Sequence, residues 1–271
     1  MAQVEPGLTM RIHSLLAGLM LIGSAGLVSA ADLPARTAPP PPPPQAPSGW
    51  TFQLTLYGWA TALDGDIGAR YRQPVDVNVG FDQILDNLKG GFMGAFQAKN
   101  DTWMVLADVV YSDLGIKRET RFGGQLDFSQ TMGIATGYVG YRIPIGSPAL
   151  DLRLIGGARG QNLEVDITHF GVLPAFDRTA SASKSWIDPV VGFAMTYNFD
   201  KHWFLNVIAD VGGFGVASQL TTQGFAAIGY RWTETISTSI GYRALYTDYK
   251  KNGFVYETTL HGVFAGIGVH F

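Results

Sequence analysis

From Trp50 to Phe271, hydrophobic residues return at every second position, segment after segment. The last stripe is the cleanest: Val263, Ala265, Ile267, Val269 and Phe271 share one parity, and Phe264, Gly266, Gly268 and His270 take the other. A period of two puts alternate side chains on opposite faces of an extended chain, so these segments read as strands and not helices. The final residues are expected to belong to a strand, where many domains carry a loose tail.

Only 15% of the residues are charged, against roughly 25% in ordinary soluble domains. There are 34 Gly, 12% aromatics and no Cys, so disulfides and thiol chemistry are excluded. The only long apolar run lies near the amino end, which leaves no helical membrane span in the body of the chain. A closed antiparallel barrel is the other way to satisfy every backbone polar group in lipid, because closure removes the sheet edges. A net charge of −3 gives no electrostatic case for nucleic acid.

Residues 1–30 read as a secretory signal. Arg11 and His13 precede the apolar stretch Leu15–Leu27, and Val28-Ser29-Ala30 supplies a small-residue cleavage pattern. Met10 is the better start, because Met1 to Thr9 adds an acidic extension. Residues 31–49 form a spacer; Ala38 to Ser48 holds seven prolines, which favour an extended, solvated conformation. The barrel is expected over residues 50–271.

Ten alternating segments follow: Trp50–Thr61, Gly91–Lys99, Thr102–Leu114, Gly124–Ile143, Ala149–Ile167, Ser183–Phe199, Trp203–Phe214, Leu220–Trp232, Ile236–Tyr249 and Phe254–Phe271. Eight or twelve strands remain open, since Gln73–Gly80 could add a pair. Trp103 and Tyr111, eight residues apart on one face, are spaced by roughly 20 Å at a 40° tilt, close to the separation of two aromatic girdles. In the fourth segment Gln125, Asp127, Ser129 and Thr131 are assigned inward, with Leu126, Phe128, Met132 and Ile134 outward. The fifth segment reverses phase at Leu163, Val165 and Ile167, which implies a bulge or an extension above the membrane. Phe81–Leu88 reads as a short amphipathic helix in the first long loop. Connectors alternate short and long, the pattern of an up-and-down transmembrane barrel.

Several motifs carry a resemblance. They are Trp186-x-Asp188-Pro189-x-x-Gly192, Asp210-Val211-Gly212-Gly213-Phe214-Gly215, the three Gly-Tyr-Arg triplets ending at Arg142, Arg231 and Arg243, and the terminal Phe271. With the Ala31-Asp32-Leu33-Pro34 start, the chain resembles a family of uncharacterised small outer-membrane β-barrel proteins of Gram-negative, alpha-proteobacterial bacteria. The resemblance implies an outer-membrane address, with the spacer and short turns in the periplasm. Val263, Ala265, Ile267, Val269 and Phe271 then act as the insertion signal read by the barrel-assembly machinery. Outer-membrane lipid and lipopolysaccharide are the implied surroundings. The family supplies no chemistry.

By parity the inward charges are Lys99, Asp108, Asp127, Arg153, Arg159, Asp188, Asp210, Arg231 and Arg243. Counted from the short turns, Asp108, Arg159, Asp188, Asp210 and Arg243 fall at one depth and are expected to form a paired layer, with Arg159 and Asp188 on neighbouring strands. Phe204, Phe225, Phe264 and Trp186 also point inward, which favours a filled lumen.

Hydrolysis is the competing class. Asp64 and Asp66 share a face, and Asp166 precedes His169, but that spacing splits the latter pair across a regular strand. No G-x-S-x-G turn occurs, and the five His are too scattered for a metal cluster. No catalytic, metal or cofactor-binding residue is assigned. The sequence thus points to a non-enzymatic outer-membrane barrel with an envelope or surface role and a charge-paired, largely plugged lumen. A narrow channel for small solutes and an outer-surface hydrolase stand as alternatives.

Overall fold

The stripes resolve into strands whose neighbours in sequence are neighbours in space. A computed structural model describes residues 49–68, 74–119, 125–170 and 178–271; the segment expected to be a signal and most of the expected spacer lie outside these. The elements are β1 (Thr51–Gly68), β2 (Val75–Val79), α1 (Phe81–Asp86), β3 (Leu88–Lys99), β4 (Trp103–Glu119), β5 (Gln125–Ile143), β6 (Leu150–Phe170), β7 (Arg178–Asn198), β8 (Trp203–Gly213), β9 (Leu220–Arg231), β10 (Ile236–Lys251) and β11 (Phe254–His270). β3 to β11 pair antiparallel in chain order. β11 returns to β1 in an unbroken register from Gln53↔His270 to Gly68↔Val255, closing a ten-stranded barrel. β2 stands outside the ten as a short strand on β1.

Closure explains why the outer face can be apolar. No ladder is left unpaired along β11, so its exposed residues Val263, Ile267 and Val269 need no covering strand. Leu54, Phe92, Val105, Val139, Leu154, Ile187 and Ile240 extend the same band around the wall. Trp103 and Tyr111 sit at its two margins on β4, both exposed.

The wall is thinnest between β1 and β3. Their ladder runs only from Thr51↔Lys99 to Leu56↔Gly94, and from Leu63 upward β2 takes over as partner of β1. Side chains substitute for part of the missing ladder: Trp59 N–H donates to Met93 Sδ at 3.2 Å, and Thr61 Oγ1 donates to the Trp59 carbonyl at 2.9 Å. Ile84 of α1 packs on the core around Trp59.

Two expectations are corrected and a third is narrowed. Ile134 and Met132 point inward, Ile134 being 1% exposed, so Asp127, Ser129 and Thr131 carry the outward parity of β5. Asp127 therefore leaves the set of lumen charges. Of the two explanations for the phase reversal in β6, the bulge falls and the extension is left: pairing with β5 and β7 is regular throughout, and Leu163 faces inward on the parity of Arg153 and Arg159. One cause accounts for all three. The lumen becomes apolar in its loop-side half while the outer face turns polar, so the hydrophobic stripe changes sides without any change of strand phase.

Candidate functional site

Only inward positions can meet across a barrel, and the polar ones converge at mid-depth. Arg159 on β6 and Asp210 on β8 pair at 2.7 Å. Tyr138 on β5 donates to the same Asp210 Oδ2 at 2.6 Å, and Arg159 Nη2 reaches the Tyr138 oxygen at 3.0 Å. Thr221 and Thr136 accept from the rest of the guanidinium at 3.1 and 3.3 Å. A second group repeats the plan. Arg243 on β10 pairs with Asp108 on β4 at 2.8 Å, Tyr57 on β1 donates to Asp108 Oδ2 at 2.6 Å, and Arg243 Nη1 reaches the Tyr57 oxygen at 2.9 Å.

Gln223 on β9 joins the two triads. Its carbonyl accepts from Arg243 Nη2 at 2.7 Å, and its amide reaches Tyr138 and Asp210 at 3.4 and 3.5 Å. Each acid thus holds one Arg and one Tyr, which offsets part of the cost of burying its charge. Arg243 also lies 4.8 Å from the centre of the Trp59 ring.

Asp188 is at the expected depth and in register with Arg159, but its carboxylate is bound elsewhere. Ser218 donates to it through its backbone N–H at 2.7 Å and through Oγ at 2.5 Å, and both residues are fully buried. Asp188 therefore anchors the loop between β8 and β9. β8 pairs with β7 only as far as Val190↔Gly212, which leaves the upper part of β7 for this loop to cover.

Above the network, Trp59, Leu63, Val110, Ile134, Leu245 and Leu260 form one buried cluster from five strands. Higher still, Trp186 on β7 stacks on Tyr249 of β10 at 4.4 Å, within a cluster that includes Leu163, Phe254 and Tyr256. Below the network is a cavity of about 530 Å³, with Tyr57, Asp108, Tyr138, Gln223 and Arg243 among the residues around it. At its mouth Asp151 meets Arg153 at 2.9 Å and both Lys99 and Arg142 at 3.5 Å.

A third polar group, not anticipated from sequence, lies on the outer wall near the loop end. His261 Nε2 meets Asp64 Oδ2 at 2.6 Å, and its Nδ1 meets the Tyr242 hydroxyl at 2.6 Å. A carboxylate only accepts, so Nε2 carries the hydrogen, and with a neutral ring Tyr242 donates to Nδ1. Both ring nitrogens are engaged. The Asp166–His169 reading cannot be followed, because the side chain of His169 lies outside the described residues. Among the described residues no group of His, Asp and Glu has metal-binding geometry.

No protein family and no curated protein matches the sequence. Among solved structures, the attachment invasion locus protein Ail of Yersinia pestis is 12% identical over 82% of this chain and 99% of that one, with a TM-score of 0.37. The outer membrane protease OmpT of Escherichia coli is 11% identical over 83% of this chain and 97% of that one, at 0.48. The translocator domain of the autotransporter NalP from Neisseria meningitidis is 13% identical over 82% and 88%, at 0.37. No residue role or activity comes across with these likenesses.

Proposed function

We propose that the chain is an integral outer-membrane β-barrel with a non-enzymatic envelope or surface role, its lumen closed to the passage of solutes. The observation that carries this reading is the apolar seal across the loop-side half of the lumen. Trp59, Val110, Ile134, Leu245 and Leu260 meet there from β1, β4, β5, β10 and β11, none more than 4% exposed. The Arg–Asp–Tyr network beneath adds a second, polar closure. The apolar outer band supports membrane insertion, and the short turns on the side of Phe271 support an orientation with that end in the periplasm.

A narrow channel is the second reading, favoured by the cavity that reaches from the Phe271 end up to the network. Planar-bilayer recording separates the two. Purified wild-type protein is expected to give no steady conductance; well-resolved unitary steps in the wild type would replace the closed reading with the channel. Ile134→Ala with Leu260→Ala thins the seal and is expected to give conductance only when the polar closure beneath it is removed as well, as by adding Arg159→Met and Asp210→Leu. Cell fractionation tests the address: recovery with the inner membrane would overturn it. The Asp64–His261 pair does not change the reading, since it lies on the outer wall and both ring nitrogens are already engaged.

A further inference from the structure

The cavity below the network is built in two parts that no single kind of small solute would satisfy. Apolar side chains line it, Leu106, Ile208, Phe225 and Phe264 in the upper part and Met104 and Phe204 nearer the mouth beside Lys99 and Arg231. Polar Gln97, Thr196 and Asn206 stand among them, and the small side chains of Ala95 and Ala194 leave the space open. Its mouth is cationic. Lys99, Arg142 and Arg153 share the single carboxylate of Asp151. Arg231 is held by neutral groups instead, with Nη2 on Asn198 Oδ1 at 2.7 Å and the guanidinium 4.4 Å from the centre of the Phe204 ring. Among the described residues no carboxylate lies within ion-pair distance of Arg231; Asp200 acts on it from farther away, and Glu234 stands at the rim.

We propose that this cavity binds a single-chain amphiphilic carboxylate, head at the mouth and apolar chain in the lumen. A purely polar anion would satisfy the cations and leave six apolar side chains facing water. A purely apolar solute would do the reverse. The volume of about 530 Å³ falls within the range of roughly 300–1,000 Å³ usual for small-molecule sites. Six residues of β11 separate His270 at the mouth from Phe264, a depth of about 15 Å at a strand tilt near 40°. The roof is closed by groups that already satisfy one another, Tyr57, Asp108 and Arg243, so a chain end meets it without stranding a charge. The head lies where Arg231 and Lys99 border the cavity, and a planar carboxylate suits the fork of a guanidinium. The site does not depend on whether the barrel conducts.

The test is calorimetric titration of the protein in phospholipid nanodiscs, with empty nanodiscs as reference. Dodecanoate is the probe, dodecanol supplies the same chain without charge, and acetate the same charge without a chain. Saturable one-to-one binding of dodecanoate is expected, with dodecanol weaker by about tenfold or more, the worth of one charged hydrogen bond. Acetate, which keeps the charge and loses the buried chain, should be weaker still. Lys99→Gln with Arg231→Gln should bring dodecanoate down to the level of dodecanol and leave dodecanol unmoved. Ala194→Phe, which fills the cavity, should remove dodecanoate binding; Ala95→Phe does the same should the first variant fail to fold. Dodecanol binding as tightly as dodecanoate, or dodecanoate binding that survives both cavity-filling variants, would overturn the proposal.

Discussion

Arg159 and Asp210, 51 residues apart in sequence, meet at 2.7 Å with neither side chain exposed. Strand order alone does not bring them together, because β7 stands between β6 and β8. They meet across the curve of the wall, and Tyr138 and Thr221 complete the shell from β5 and β9. Closing the sheet therefore also closes the network, and the interior ties together strands that share no backbone ladder.

Removing one member strands the other. Arg159→Met leaves the Asp210 carboxylate buried with only Tyr138 and Gln223 for partners, and is expected to cost roughly 3–5 kcal/mol. The double variant Arg159→Met with Asp210→Leu should cost clearly less than the sum of the singles, since a well-packed apolar pair carries no uncompensated charge. Denaturant unfolding in lipid vesicles, run as a double-mutant cycle, measures this; additive losses would show that the two residues do not act as a pair.

Asp188 should act on the loop and not on the barrel. Asp188→Asn keeps the shape but removes the charge that receives two donors from Ser218, and Ser218→Ala removes one donor. Each is expected to speed proteolysis within residues 214–219 while the barrel remains resistant. Equal loosening of the whole molecule would instead place Asp188 in the central network.

Much of this architecture was legible because one face of each strand meets a uniform surrounding. The stripe from Val263 to Phe271 corresponds to β11, and Trp103 and Tyr111 sit eight residues apart on one exposed face of β4. Parity misled at Ile134, where the lumen is apolar and the outward positions just above it on β5, Thr131 and Ser129, are polar. Counting from the turns gave the depth of Arg159 and Asp188 but not their partners, because a carboxylate chooses between a guanidinium and a loop by geometry that appears only once the wall curves. Tyr57, Tyr138 and Gln223 escaped notice because they carry no charge, although each has inward parity. Asp64 and His261 escaped because they are 197 residues apart and meet only where the barrel closes.

The β7–β8 turn carries a pH-dependent clasp. Backbone N–H groups of Trp203 and His202 both donate to Asp200 Oδ1 at 2.7 Å and, in that order of effect, hold its carboxyl below the usual carboxylate range. A carboxylate depressed in the folded state contributes stability above its unfolded pKa, about 3.9, and loses it as pH falls through the folded value. The turn should therefore hold through mildly acidic pH and loosen only below the ordinary Asp range. A carboxyl-carbon NMR titration that gave Asp200 a pKa of about 3.9 or higher would contradict this.

The closing seam is the place where one added methyl should matter most. Gly262 on β11 faces Thr61 of β1, and a Cβ there would fall 1.7 Å from the Ala60 carbonyl oxygen and 2.7 Å from its carbon. Those are backbone atoms, so no rotamer change relieves the overlap; the two strands must part. Overpacking of this kind typically costs about 1–3 kcal/mol, and a rigid neighbour places Gly262→Ala at or above the upper end. Gly58 provides the control on the same strand pair, opposite Ala265, because a Cβ there meets nothing within 4 Å. Gly58→Ala should stay within about 0.5 kcal/mol of the wild type. Comparing the two by unfolding in vesicles, and by the gel-mobility shift of heated against unheated protein, separates a local clash from a general cost of replacing glycine in a strand. Wild-type stability in Gly262→Ala would show that β1 and β11 do not approach as closely as the register requires.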